Sequence, residues 1–321
     1  MAGKGPAVTV LQWVVDTRDL FPEATETKQL EKVASRYLSL VSVPESTAAL
    51  KYVFPRDAKL SLASSLLKRH AISLTTSLPW PSSEATRDPR GKPVCLDSSG
   101  REPLAFNVSH QDGLVVLFGI AGYGSPTSSS ISDSRSQTRK VEVGVDVVSC
   151  AERRQRDLET IQRAGGWSDF ISVYESVFSP RELSYLGALG AQSLSVDERL
   201  RYFYALWCLK EAYVKMTGEA LLAEWILALE FPSFKPPPPA GQDRDGRNLR
   251  CGEVARDIEV VRDGKRDLGV RMELMSLGKD YMIGVAVRTP DRAEDAVGFE
   301  LGNYEMVDLE DIRAYAESHR A

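Results

Sequence analysis

Little in this chain suits redox or histidine-based metal chemistry. Its 321 residues include only four cysteines and three histidines. Cys95, Cys150, Cys208 and Cys251 form no CxxC pair. A zinc knuckle or disulfide framework is therefore not expected, and a reducing, cytoplasmic setting is. With only His70, His110 and His319, chemistry built on histidine clusters is excluded. No apolar run approaches the roughly 18–20 residues that span a bilayer. The first residues, MAGKGPAVTVLQWVVDTRD, lack a long apolar core and a small-residue cleavage site, so no membrane span and no secretory signal are expected. A formal charge of −5 argues against non-specific binding to nucleic acid or to an anionic membrane surface.

A sizeable core is available: 43% of residues are hydrophobic and 26% are charged. Residues 8–16 read as a strand, 23–41 and 57–78 as helices, and 79–103 as a loop. LAFNVSH and GLVVLFGIAG then read as two strands joined by a polar turn at 111–113. The Ser-rich stretch 124–140 is expected to be a flexible linker. A strand follows at 141–148, then a helical pattern over 167–190. A long helix runs from about Asp197 to Met216 and is closed by Gly218. A Pro/Gly-rich insertion covers 232–252. Strands are predicted near 256–262, 268–275 and 280–288, and a helix in the tail at 303–319. The expected class is α+β, with a lobe at 1–123, the linker, and a second lobe at 141–321; a ligand cleft between lobes is the usual arrangement.

Acids in apolar surroundings carry the chemical signal. On the long helix Leu200, Phe203, Trp207 and Val214 trace one apolar stripe, and Glu211 lies inside it. A carboxylate there is costly to bury unless it is paired or bound to a cation. Lys215 follows one turn later, so an ordinary i,i+4 ion pair on a solvated face is the competing reading. Asp146 interrupts the valine run VEVGVDVV; it is either a strand-end turn residue or a second buried acid. Two buried carboxylates with few histidines suit Mg²⁺, which is held by one or two carboxylates plus substrate phosphates. Ser109 and His110 are adjacent on a strand, point to opposite faces and lack a GxSxG setting, which disfavours a serine hydrolase. They would suit phosphate binding, and Arg87, Arg90 and Lys92 form a basic loop that is either simply solvated or a polyphosphate clamp.

In order along the chain, GKP (91–93), FNVSH (106–110), GVDVV (144–148), FSPREL (178–183) and WCLKEAYVK (207–215) resemble the Sfp-type 4′-phosphopantetheinyl transferases, most closely the stand-alone eukaryotic and, from the insertions, fungal members. The resemblance implies two similar lobes in a pseudo-twofold arrangement with coenzyme A between them. It implies Mg²⁺-dependent transfer of 4′-phosphopantetheine from coenzyme A to a serine of acyl or peptidyl carrier proteins, with release of 3′,5′-ADP. Fatty-acid, polyketide, non-ribosomal-peptide and lysine-pathway carriers are the implied partners, and a monomer is expected.

By motif match Asp146 and Glu211 would hold the metal, and Lys215 would neutralise the α-phosphate. Ser109 and His110 would contact coenzyme A phosphates, with Asn107 beside them; Arg87, Arg90, Gly91 and Lys92 would line the nucleotide pocket. Glu182 would activate the incoming serine or assist at the metal, and Lys210 matches the lysine before the glutamate. Val148 stands where many bacterial members carry a third acid. Ala48 stands where a basic residue is expected, which would leave the 3′-phosphate to Lys51 or Arg56 together with His110. A module that binds coenzyme A or a carrier domain without transfer is the alternative, and the four residues Asp146, Glu182, Glu211 and Lys215 speak against it.

Overall fold

Strand β1 (Thr9–Asp16) is the apolar, β-branched run read from the sequence. The helix expected over 23–41 is instead two short pieces, α1 (Leu30–Val33) and α2 (Ser35–Leu38), because Ala34 leaves the helical basin at φ −104°, ψ 15°. Helix α3 (Val43–Leu50), not anticipated, starts on a capping box between Ser42 and Glu45 with a proline in its first turn. Helix α4 (Pro55–Thr76) follows and ends at Ser77 in the left-handed conformation. The computed structural model describes residues 8–123, 141–163, 165–219, 223–241, 249–289 and 301–320. The expected linker at 124–140 lies outside the described residues, as do 242–248 of the Pro/Gly-rich insertion.

Strands β2 (Thr86–Arg87) and β3 (Pro93–Val94) form a small hairpin in the predicted loop region. Strands β4 (Leu104–Gln111) and β5 (Leu114–Ala121) pair antiparallel around Asp112 and Gly113, both with positive φ, the backbone that a two-residue hairpin turn demands. Strand β6 (Glu142–Ser149) opens the second half of the chain. The helical pattern expected over 167–190 divides into α6 (Gly166–Ser172) and α7 (Pro180–Leu189), preceded by an unanticipated α5 (Arg154–Ile161). Helix α8 (Val196–Thr217) is the predicted long helix, and Gly218 caps it in the left-handed conformation.

Strands β7 (Leu229–Glu230), β8 (Cys251–Ala255), β9 (Val261–Arg262), β10 (Lys265–Arg266), β11 (Val270–Leu277) and β12 (Tyr281–Arg288) complete this half. The longer strand lies at 251–255, just before the expected 256–262. The tail holds β13 (Glu305–Met306) and α9 (Leu309–Ser318).

The chain divides into two compact units, Met1–Val143 with Phe299–Ala321, and Gly144–Gly298. The tail thus departs from the expected lobe boundary. It returns to the first unit, where β13 pairs parallel to β1 and Tyr315 on α9 stacks edge-on to His70 of α4. In that unit the sheet β13-β1-β5-β4 is covered by α4, whose Leu66, Leu67 and Ile72 join Trp13, Phe106, Val115 and Leu117 in one core. In the second unit the sheet β6-β12-β11-β8 carries α8. That helix is a core helix, buried on more than the one stripe read from the sequence: Leu206, Cys208, Leu209, Ala212 and Tyr213 are all enclosed as well. The class is α+β.

Candidate active site

Glycine decides how closely α8 lies on β6. A Cβ on Gly144 would stand 2.1 Å from the carbonyl oxygen of Ala212 and 2.4 Å from the amide nitrogen of Met216. Both obstacles are backbone, so no larger residue fits without displacing the helix. A Cβ on Gly284 of β12 would likewise come within 3.0 Å of Cys208 Sγ. Side chains alternate along a strand, so Asp146, two residues beyond Gly144, shares its face. The close approach therefore brings Asp146 beneath the turn of α8 that bears Glu211 and Lys215.

Asp146 sits in mid-strand, not at a turn, and is 5% exposed. Its Oδ1 accepts a 2.6 Å hydrogen bond from Lys215 Nζ. Glu211 is half-buried, and its carboxylate has no hydrogen bond or ion pair among the described residues. Burial pushes the Glu211 carboxyl above its ordinary range; the Asp146 charge adds to the shift and Lys215 opposes it. For Lys215 burial works downward, but the charge and hydrogen bond of Asp146, with Glu211 behind it, outweigh burial and hold the ammonium above its usual value. The competing reading of a solvated Glu211–Lys215 pair is thereby excluded, since the lysine bonds to Asp146.

Asp146 and Glu211 thus lie near the same ammonium in a half-enclosed place, and only Asp146 bonds to it. Among the described residues no group of three or more acids, cysteines and histidines is arranged to hold a metal ion. The pair is still the donor set of a hard ion that takes further oxygens from substrate and water. Val148, on the same face of β6, is 2% exposed in the apolar core and offers no third oxygen.

Glu182 and Lys210 form a separate, fully enclosed pair. Lys210 Nζ lies 2.8 Å from Glu182 Oε2 and donates to the carbonyls of Ile226 (3.1 Å) and Leu229 (2.5 Å). Glu182 also accepts from the amides of Ser179 (3.0 Å) and Phe231 (3.1 Å), the first of these as part of the capping box that starts α7. Burial dominates both groups, raising the Glu182 carboxyl and lowering the Lys210 ammonium despite their mutual attraction. With three donors on its two oxygens and 4% exposure, Glu182 is a junction between α7, α8 and β7. This geometry corrects the expectation that it stands ready to take a proton from an incoming serine. Trp207, the aromatic of the same motif, packs edge-on against Tyr174 and Phe178.

The remaining expected residues lie on the first unit. Asp88 builds the β2–β3 turn by accepting from the amides of Arg90 and Lys92, both at 2.9 Å, and Gly91 adopts φ +84°. Arg87 donates to the Gly91 carbonyl at 2.6 Å, and Lys92 Nζ to that of Val143 at 2.8 Å. On β4, Asn107 and Ser109 are buried while His110 is exposed, the alternation expected of a strand. His110 and Arg87 line a polar cavity of about 390 Å³ together with Ala48, Ser61, Ser64, Ser65 and Lys68. Asn107, Ser109, Arg90, Gly91 and Lys92 are not among its lining residues, and neither are Lys51 and Arg56. Sequence reasoning missed Lys68 and the serines; the signal was there as polar residues at 61, 64, 65 and 68, spaced to share one face of the helix.

Comparisons with known proteins bear on both units. A family model described as "4′-phosphopantetheinyl transferase, N-terminal" matches residues 28–121. One described as "4′-phosphopantetheinyl transferase superfamily" matches residues 142–263. The chain is 43% identical to 4′-phosphopantetheinyl transferase 1 of Fusarium mangiferae, over 96% of each chain. It is 34% identical to a 4′-phosphopantetheinyl transferase of Aureobasidium melanogenum, over 86% of this chain and 90% of that one. It is 25% identical to the human L-aminoadipate-semialdehyde dehydrogenase-phosphopantetheinyl transferase, over 75% of this chain and 65% of that one.

Proposed function

Because the chain belongs to the 4′-phosphopantetheinyl transferase superfamily, we propose that it moves 4′-phosphopantetheine from coenzyme A to a serine of a carrier protein and releases 3′,5′-ADP. The observation that carries this reading is the arrangement of Asp146, Glu211 and Lys215: two buried or half-buried acids beside the Lys215 ammonium, with Glu211 making no hydrogen bond or ion pair among the described residues. Carboxylates kept partly out of water at such a cost point to a divalent cation as the missing partner.

Asp146 and Glu211 are the residues that would hold Mg²⁺. When bound, the ion would supply Lewis-acid stabilisation of the diphosphate. The serine hydroxyl attacks the phosphorus that bears the pantetheine arm. The new P–O bond forms as the bond to the bridging oxygen breaks, and 3′,5′-ADP leaves with that electron pair. Lys215 offsets the negative charge that gathers on the departing phosphate, as preorganised cations do in phosphoryl transfer. In this reading Glu211 would accept the serine proton in place of Glu182, whose oxygens already accept from Lys210, Ser179 and Phe231. Lys210 and Glu182 act as positioning residues that fix α8.

The partners in this reading are coenzyme A and apo acyl or peptidyl carrier domains of fatty-acid, polyketide, non-ribosomal-peptide or lysine pathways, served by a cytoplasmic monomer. Among the described residues no helix is long and apolar enough to cross a membrane, and all four cysteines are free thiols. Incubation with Mg²⁺, coenzyme A and an apo carrier domain tests the function by mass spectrometry. A carrier heavier by one phosphopantetheine supports transfer; a carrier of unchanged mass that nevertheless binds would leave a binding module.

A further inference from the structure

The motif WCLKEAYVK holds one enclosed polar group that the proposed chemistry leaves unused. Tyr213 is fully buried, yet it ends in a hydroxyl. That hydroxyl donates to Asp267 Oδ2 at 3.0 Å and accepts from Arg288 Nη2 at 2.8 Å. Asp267 follows β10 and Arg288 ends β12, so one atom of α8 joins two other segments of the second unit. Trp225 meets the Tyr213 ring edge-on, with centroids 5.7 Å apart, and the Arg262 guanidinium lies 4.4 Å from the Trp225 centroid. Burial is the main cause that raises the phenol above its ordinary value, so it keeps its proton and its donor role.

Position on the helix gives this contact a consequence for the site. At about 100° per residue Tyr213 stands roughly 200° round α8 from Glu211, on the side away from Glu211 and Lys215. Lys210, three residues before Tyr213, shares that side and is anchored to the carbonyls of Ile226 and Leu229. The close contacts of Gly144 and Gly284 set how near α8 lies to the sheet. A cylinder held at a fixed distance can still roll about its axis, and a roll carries Glu211 and Lys215 away from Asp146. Two polar anchors on separate segments oppose that roll: Lys210 on 226–229, and Tyr213 on Asp267 and Arg288. A hydroxyl among buried side chains is costly unless it is bonded, and packing alone would be served by phenylalanine.

We propose that Tyr213 is a positioning residue: its hydroxyl, held by Asp267 and Arg288, fixes the roll of α8 so that Glu211 and Lys215 face Asp146. This rests on the reading of Asp146, Glu211 and Lys215 given above. Tyr213 acts through the helix and not on the substrate.

The experiment compares wild type with Tyr213→Phe, Asp267→Ala and Trp167→Phe. Trp167→Phe removes a different buried hydrogen bond of the same unit, from the indole N–H to the Leu186 carbonyl at 2.7 Å, and controls for general loosening. Mn²⁺ binding without substrate, melting temperature, and transfer kinetics at saturating Mg²⁺ are measured on each. Tyr213→Phe is expected to weaken Mn²⁺ binding at least about tenfold, the lower end of the cost of losing a group that orients a metal ligand. Its kcat should fall at least about tenfold, as slight misplacement of a reacting group does. Asp267→Ala should show both losses. Trp167→Phe should lower the melting temperature but keep Mn²⁺ binding and kcat within about threefold of wild type, because it shares no partner with the Tyr213 cluster. Wild-type Mn²⁺ binding and kcat in Tyr213→Phe, a loss confined to Tyr213→Phe, or an equal loss in Trp167→Phe overturns the assignment. Should Tyr213→Phe not fold, Asp267→Ala decides on the same two readouts. A wild-type chain that transfers nothing, but whose Mn²⁺ binding weakens in both variants of the cluster, overturns the transferase reading and upholds the role of Tyr213. A wild-type chain that binds no Mn²⁺ overturns both.

Discussion

Lys215 Nζ donates to Asp146 Oδ1 at 2.6 Å, tying the last turns of α8 to the middle of β6, while Glu211 on the same helix makes no hydrogen bond or ion pair among the described residues. An ordinary ion-pair network would have paired the nearest acid on the helix, four residues away. The lysine instead satisfies the strand's acid and leaves one carboxylate over. Asymmetry of this kind is what a site for a further cation requires.

Glu211→Gln separates function from stability. The Glu211 carboxyl is raised by burial and by Asp146, so its ionisation opposes folding: its contribution to stability is present below the ordinary carboxylate range and lost as pH rises through the raised value. At neutral pH the metal-free Gln variant is therefore expected to melt higher than wild type, by about 1–3 °C. Its kcat should fall by about a hundredfold or more, the scale of losing a key electrostatic stabiliser. Thermal melts in chelator and transfer assays in Mg²⁺ read the two effects; a lower melting temperature with unchanged kcat would contradict both.

Gly144→Ala tests the close approach. The added methyl would meet the backbone of Ala212 and Met216, which cannot rotate away. A loss of at least about 1–3 kcal/mol, the usual cost of overpacking, is expected in urea unfolding. Activity of the folded fraction should fall with it, because α8 must shift away from Asp146. A neutral substitution would mean that the helix is not held at this distance.

Glu182→Gln distinguishes a junction from a base. Removing one partner of a buried pair strands the Lys210 ammonium, at a cost of about 3–5 kcal/mol. The variant should be clearly less stable to denaturant but, assayed well below its melting temperature, should keep kcat within about tenfold. A collapse of kcat by three or more orders of magnitude in a stable protein would restore Glu182 as the proton acceptor.

The tail carries a pH dependence of its own. Burial holds the His70 imidazole down to about 4, below its ordinary range, with His319 adding repulsion and Asp311 opposing. It stacks on Trp13 and meets Tyr315 edge-on, and its Nδ1 has no hydrogen-bond partner among the described residues. A depressed value means that the unfolded chain takes up the proton first, so stability from this group is complete above about pH 6.5 and is lost as pH falls toward 4. Melting temperature measured against pH should therefore slope less steeply in His70→Phe than in wild type over that window. Parallel curves would remove His70 from the acid limb.

Much of the site was legible in the chain. Asp146 and Glu211 announced themselves by standing in apolar runs, and Gly218, Asp112 and Gly113 marked their cap and turn. The helix of the tail was legible, but its return to the first unit was not, because the pairing of Glu305 and Met306 with β1 joins residues nearly 300 positions apart and two residues have no periodicity to read. The setting of Glu182 was not legible for a related reason: a motif gives the residue type, whereas the three donors on its oxygens come from the start of α7, from α8 and from the segment after β7. Lys68 was overlooked because one lysine on a helix is ordinarily solvated, and only the cavity distinguishes it.

In the proposed function Asp146 and Glu211 together bind one divalent ion. Mn²⁺ as a paramagnetic probe, titrated into wild type and Asp146→Ala in the presence of coenzyme A, measures it directly. One bound ion per chain in wild type, with at least about tenfold weaker binding in the variant, is the predicted result. Equal binding in the two proteins would remove Asp146 from the metal site.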